Sequence, residues 1–188
     1  LLDHEVTQQE YRAIKGYNPS GFPDEKWIVN RYGLLRPVEM VTWYEAVDFC
    51  DKLTRKDRQE GRISPNQKYR LPTEAEWEHA ARGGLDGAPF PWGDDLEPGG
   101  EHRMNVFQGE FPVRDLGLDG HIGTAPVRSF PPNGFGLHEA NGNVWEWCAD
   151  WFDAGYYAVS AVEGPRGPET GTHRVMRGGS FLCHASYC

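Results

Sequence analysis

Apolar positions recur at helical spacing in three stretches of the first half of the chain, and each stretch opens on a threonine followed three positions later by glutamate. In that arrangement the hydroxyl caps an unpaired amide of the first turn, and the glutamate reaches back to the amide of the cap residue. Thr7-Gln8-Gln9-Glu10 predicts a short helix that Gly16 can end. Thr42-Trp43-Tyr44-Glu45 predicts a longer one with Ala46, Val47, Cys50 and Leu53 on one face. Thr73-Glu74-Ala75-Glu76 predicts a third, with Pro72 at its boundary, Trp77, Ala80 and Ala81 on one side, and Gly83-Gly84 as the stop.

Beyond Gly84 the pattern changes. Apolar runs are short, and Pro91-Trp92-Gly93, Pro131-Pro132-Asn133-Gly134 and Asn141-Gly142-Asn143 are turn signals. Residues 144–147 and 174–177 read as short strands, and 153–172 as a surface loop. No internal repeat is present. The expectation is an α+β fold with low regular secondary structure: two or three helices on one small antiparallel sheet, with long ordered loops. Loops of that length inside a compact domain need something to order them, and metal ions are one candidate.

Composition narrows this picture. The length of 188 residues suits one domain, and 38% hydrophobic with 13% aromatic residues is too apolar for a disordered chain. The 23 glycines and 14 prolines fit a loop-rich core that leans on aromatic side chains. A net charge of −9 disfavours nucleic acid and anionic membranes, whose phosphates it repels. No apolar run approaches the roughly 20 residues of a membrane span. The chain starts at Leu1 and stops at Cys188, and reads as a single domain over 1–188 cut at both ends. The residues name no compartment; a bacterial source would imply the cytoplasm.

Four cysteines are too few for a disulfide scaffold in a chain of this size, which leaves thiols for chemistry. Cys183 and Cys188 close the segment Arg177-Gly178-Gly179-Ser180-Phe181-Leu182-Cys183-His184-Ala185-Ser186-Tyr187-Cys188. Five positions apart, they point to opposite faces of a strand, or lie about 140° apart on a helix. The chain must therefore turn between them if they act together, and Gly178-Gly179 permits unusual backbone angles just before. A disulfide, a zinc site with His184, and a low-coordinate Cu(I) site held by two soft thiolates remain open on spacing alone. Asn105, Asp119, Glu139 and Glu146 lie among glycine-rich turns. They read either as surface and turn residues or as oxygen ligands for calcium, although their spacing is not that of an EF-hand.

The order of several blocks adds a family. Leu71-Pro72-Thr73-Glu74-Ala75-Glu76-Trp77-Glu78 with Ala81-Arg82-Gly83-Gly84 comes first, then Pro91-Trp92-Gly93 and Asn105-Val106-Phe107-Gln108-Gly109-Glu110-Phe111-Pro112. Gly123-Thr124-Ala125-Pro126-Val127, Phe130-Pro131-Pro132-Asn133-Gly134-Phe135-Gly136-Leu137, Gly142-Asn143-Val144-Trp145-Glu146-Trp147 and the terminal Arg-Gly-Gly-Ser block follow. From about residue 69 to 188 this order resembles the formylglycine-generating enzymes, or sulfatase-modifying factors, and the cysteine pair resembles their catalytic members.

The resemblance implies the family's fold, a variant of the C-type-lectin architecture. It implies a copper-dependent oxidase that converts a cysteine in a sulfatase Cys-x-Pro-x-Arg segment to formylglycine with O2. By that likeness Cys183 and Cys188 hold Cu(I), Ser180 is catalytic, and Trp145, His184 and Tyr187 line the substrate pocket. Two structural calcium ions are implied. One would use Asn105, the Val106 carbonyl, Asp119 and the His121 carbonyl; the other Glu139, the carbonyls of Gly142 and Val144, and Glu146. The implied partners are a sulfatase polypeptide and molecular oxygen, with no nucleic acid, no membrane and a monomeric state.

The chain departs from the family pattern in lacking its opening strand and its tail after the second cysteine. Residues 18–37 look like generic bacterial members. Cys50 stands where some relatives pair with a tail cysteine, and Cys148 reads as a buried thiol. Two other functions share the fold: a calcium-stabilised binding module without chemistry, and an iron-dependent sulfoxide synthase, which draws histidines from a helical domain not found here.

Overall fold

The computed structural model describes residues 1–22 and 35–188, and among these it has three capped helices and two short antiparallel ribbons. The helices are α1, Gln8–Lys15; α2, Trp43–Gln59; and α3, Glu74–Ala81. Each begins with the reciprocal box expected from sequence: Thr7 with Glu10, Thr42 with Glu45, Thr73 with Glu76. Gly16 ends α1 in the left-handed conformation, where glycine has no Cβ to clash. Most of the segment 18–37, residues 23–34, lies outside the described residues.

Among the described residues the strands form two small antiparallel sheets, where one was expected. Strand β1, Gly109–Glu110, pairs with β2, Arg114–Asp115, in a short hairpin. Strand β3, Glu146–Trp151, pairs with β4, Arg174–Arg177, in the register Glu146 opposite Arg177. The strand expected over 144–147 thus begins two residues later and runs four residues further, because Gly142 to Val144 are taken up in a loop. The segment 153–172 is a loop with one 3-10 turn, Tyr156–Ala158.

The core sits where α3 crosses the β3–β4 ribbon. Trp77, Ala81, Ala140, Cys148 and Val175 form one buried cluster, so Cys148 is the buried thiol that sequence indicated. Burying an aromatic side chain of this size contributes about 2–3 kcal/mol. Trp77 Nε1 also donates to Glu146 Oε2 at 2.8 Å, so the indole supplies both packing and a partner for a buried carboxylate. Helix α2 is tied to the same ribbon by Trp43 Nε1, which donates to the Cys148 carbonyl at 2.9 Å. The Arg174 guanidinium lies 3.8 Å from the Trp43 ring centre and 3.4 Å from that of Trp151, a sandwich that stacks a delocalised cation on two π faces. Helix α1 stacks Tyr11 on Phe49 of α2 with centroids 5.5 Å apart.

The buried face of α2 differs from the sequence expectation. Ala46, Val47, Cys50 and Leu53 are only partly covered, while Phe49, Thr54 and Asp57 are buried. The two polar residues are buried because they bind the segment after the helix. Thr54 Oγ1 accepts from the Tyr69 amide at 2.9 Å, and Asp57 accepts from the Tyr69 hydroxyl at 2.8 Å.

The third box predicts a pH dependence. The Arg70 side chain, joined by the Thr73 amide and hydroxyl, holds the Glu76 carboxyl down at about 2, against an ordinary value of 4.5. A depressed carboxyl contributes stability above its unfolded value and loses it as pH falls through the folded value. Stability should therefore decline between about pH 4.5 and 2, and Glu76→Gln should flatten that part of the curve. Urea denaturation at a series of pH values measures it; identical acid limbs for the two proteins would contradict the assignment.

Candidate functional site

At the end of β4 the chain enters Gly178 and Gly179, whose φ values of +94° and +80° are left-handed. A Cβ on Gly179 would overlap Cys188 Sγ, so the bare backbone makes the seat in which the last cysteine lies. Two turns in series return the chain to that seat. In the first, the Cys183 amide donates to the Ser180 carbonyl at 2.9 Å. In the second, the 3-10 turn Ala185–Tyr187, the Ser186 amide donates to His184 Nδ1 at 3.3 Å.

These turns leave Cys188 within electrostatic reach of Cys183. Burial pushes the Cys188 thiol up to about 11, with the neighbouring Cys183 adding to the rise; the amides of Ser180 and Gly142 act in the opposite sense. Both are free thiols, as are Cys50 and Cys148. Ser180 is buried, its Oγ 3.4 Å from Cys183 Sγ and accepting from the Leu182 amide at 3.2 Å. Three backbone bonds clamp the turn from outside. The Gly142 amide donates to the Gly178 carbonyl at 2.7 Å, the Phe181 amide to the Asn143 carbonyl at 2.9 Å, and the Phe107 amide to the Cys183 carbonyl at 3.0 Å.

The three expected pocket residues are on the surface. Trp145 is 41% and Tyr187 73% exposed, and His184 is exposed with its Nδ1 3.0 Å from Ser186 Oγ. His184 also lines a cavity of about 250 Å³ with His102, Met104, Phe107 and Gln108. None of the three has a hydrogen bond to either thiol among the described residues.

The residues expected to hold calcium fall into two groups, in which Asn105, Val106, Glu139 and Gly142 are buried and Asp119, His121, Val144 and Glu146 are partly covered. In the first, Asp119 accepts from the Val106 amide at 3.1 Å and from the His121 amide at 2.9 Å. Asn105 Nδ2 donates to the Gly123 carbonyl at 2.9 Å and to Asn143 Oδ1 at 3.0 Å, which leaves its own Oδ1 as an acceptor. Burial raises the Asp119 carboxyl and lowers the His121 imidazole. In the second group, Glu139 accepts from the Arg128 amide at 2.7 Å and the Phe130 amide at 3.1 Å. Burial raises Glu139, and pushes Glu146 to about 7 with repulsion from Glu139 adding to it.

A third carboxylate, absent from the sequence expectation, joins this second group. Glu5 is buried, and burial together with repulsion from Glu146 and Glu139 raises its carboxyl well above the ordinary range. Its oxygens accept from Asn143 Nδ2 at 2.6 Å and from the Val144 amide at 3.1 Å. No local spacing flags it, because its partners lie 138 and 139 positions further on. Among the described residues no three His, Cys, Asp or Glu side chains are placed to hold an ion by themselves. The hard oxygen donors of both groups nonetheless fit calcium once backbone carbonyls complete the shell, and the soft thiols of Cys183 and Cys188 fit Cu(I).

A family model described as a sulfatase-modifying factor enzyme 1-like domain matches residues 1–188. The formylglycine-generating enzyme of Thermomonospora curvata is 54% identical over 155 residues, covering 81% of this chain and 46% of that protein. The mouse (Mus musculus) formylglycine-generating enzyme is 46% identical over 178 residues, covering 93% of this chain and 43% of that protein. The chain spans less than half the length of these curated relatives. Among solved structures, Treponema denticola variable protein 1 superposes with a TM-score of 0.75 at 30% identity, over 98% of this chain and 73% of that one.

Two outcomes follow for the metal-free protein. Alkylation of Cys188 should rise about tenfold per pH unit from pH 7 to 10 and continue past the ordinary cysteine value of 9, since its thiol titrates near 11. Mass-spectrometric rates for the Cys188 peptide measure this; a plateau at or below pH 9 would contradict it. Gly179→Ala should destabilise the fold by about 1–3 kcal/mol and, by displacing Cys188 from its half-buried seat, accelerate its alkylation. An unchanged rate would mean that the seat does not hold the thiol.

Proposed function

The chain belongs to the family of sulfatase-modifying factor enzymes, and from that premise we propose that it is the core of a formylglycine-generating oxidase. Its substrate would be a cysteine in a Cys-x-Pro-x-Arg segment of a sulfatase polypeptide, with O2 as oxidant. The observation that carries the reading is a pair of free thiols in one double turn, with Cys188 seated on the bare backbone of Gly179 and Cys183 acting on it electrostatically. The net change takes two hydrogens from the substrate's thiol and β-carbon to O2. Water then replaces sulfur, releasing hydrogen sulfide and leaving the aldehyde.

Cys183 and Cys188 are the residues that would hold Cu(I), which supplies a soft centre where the substrate sulfur and O2 can meet. Deprotonating a thiol pushed to about 11 is unfavourable near neutral pH, and a cation bound at the sulfurs would favour the Cys188 thiolate. Ser180, buried and 3.4 Å from Cys183 Sγ, orients that sulfur. Trp145, His184 and Tyr187, exposed on the surface, would line the path of the substrate peptide. The excess of acidic residues favours a segment bearing arginine. Two calcium ions would order the loops, at Asn105, Val106, Asp119 and His121, and at Glu139, Gly142, Val144 and Glu146.

The test uses the full-length protein, a peptide carrying Cys-x-Pro-x-Arg, Cu(I) and air. The peptide mass should change from cysteine to formylglycine. Outer partners of a metal ligand are worth about 10–100-fold, so Cys183→Ser and Cys188→Ser should each lower turnover by more than about a hundredfold with the fold retained. Full turnover in both variants would remove the thiol pair from the chemistry. No aldehyde from the copper-loaded wild type would leave the binding-module reading of the fold in its place.

A further inference from the structure

We infer that Glu5 is a positioning residue for the second calcium site: it fixes the 142–146 loop for the cation, and the cation in turn fastens the N-terminal segment to that loop. The inference rests on the calcium reading above. Glu5 is 7% exposed, and both its oxygens are spent on this loop, one on the Asn143 side chain at 2.6 Å and one on the Val144 amide at 3.1 Å. The loop carries the two carbonyls, Gly142 and Val144, and the carboxylate, Glu146, assigned to the ion. Fixing the peptide that precedes Val144 and the side chain between the two carbonyls fixes where those oxygens can point.

The charges say the same. None of Glu5, Glu139 and Glu146 is balanced by an ion pair among the described residues. Carboxylates gathered in one region without a cationic partner offer hard oxygens that a divalent cation would attract. No three of these side chains converge as a complete ligand set. Glu5 therefore acts through Asn143 and Val144. Its neighbour Asp3 also holds the same region, accepting at its carbonyl from the His138 amide at 2.8 Å. The N-terminal segment thus reaches the loop over more than a hundred positions of sequence, directly before α1.

The test adds calcium alone to the chelated full-length protein. Calorimetry, melting temperature and amide exchange are compared for wild type, Glu5→Gln and Glu5→Asp. Wild type should bind the ion, melt higher, and show slower exchange in both 3–7 and 142–146. Glu5→Gln should bind at this site about tenfold or more weakly and lose the calcium-dependent protection of 3–7. Its melting temperature should fall more with calcium than without, because only the calcium-bound state gains from the loop being fixed for the ion. Glu5→Asp keeps the charge and should fall between the two.

Equal losses with and without calcium would mean a purely structural role and overturn the inference, as would an unchanged affinity. If Glu5→Gln does not fold, the wild-type exchange decides: calcium that protects 142–146 but not 3–7 overturns the proposal. A wild type that binds no calcium overturns the calcium reading itself, a result distinct from one in which only the variants behave unexpectedly.

Discussion

Asn143 is fully buried and left-handed at φ +56°, and every polar atom of its side chain is paired. Its Oδ1 accepts from the Ala125 amide at 2.7 Å and from Asn105 at 3.0 Å. Its Nδ2 donates to Glu5 at 2.6 Å and to the Ala125 carbonyl at 3.2 Å. Its amide donates to the Asn105 carbonyl at 2.8 Å, and its carbonyl accepts from the Phe181 amide. A chain with so little helix and sheet must satisfy buried backbone groups by other means, and one amide side chain does so here for three segments. Leaving one such buried partner unpaired costs about 1–3 kcal/mol. Asparagine is also one of the few residues that visits the left-handed region readily, which is why it can serve at this turn.

The cysteine turn inherits its position from that tie. Asn143 holds Phe181, Gly142 holds Gly178, and the 105–107 segment, itself bound to Asn143, holds Cys183 through the Phe107 amide. Between these clamps, Gly179 leaves a seat without a Cβ, and Cys188 fills it. The same loop leads into Glu146, whose carboxylate is held by Trp77 at the centre of the core. Core packing, the carboxylate cluster and the paired thiols are thus consecutive parts of one bonded assembly. A substitution at any of them should be felt at the others.

What the sequence made legible was local. Each capping box involves residues three apart, and all three helices begin where those boxes stand. β4 occupies the expected 174–177, and the need for a turn between Cys183 and Cys188 followed from strand and helix geometry alone. What the sequence hid depends on distant partners. Thr54 and Asp57 are buried because Tyr69 binds them, and the apolar face expected on α2 is correspondingly only partly covered. The β1–β2 hairpin is two residues per strand, too short to leave an alternating pattern. Asn143 reads as a turn residue and Glu5 as an acidic residue ahead of a helix; only the bond between them, across 138 positions, reveals what either does.

The proposal stands most directly on the sulfur environment of copper in the full-length protein. X-ray absorption at the copper edge, on protein loaded with Cu(I), measures the number and kind of scattering ligands. The account expects two sulfur ligands in the protein alone, the thiolates of Cys183 and Cys188, and a third on adding a Cys-x-Pro-x-Arg peptide. Copper bound through nitrogen or oxygen alone, or sulfur ligation that survives in a Cys183→Ser, Cys188→Ser double variant, would contradict it.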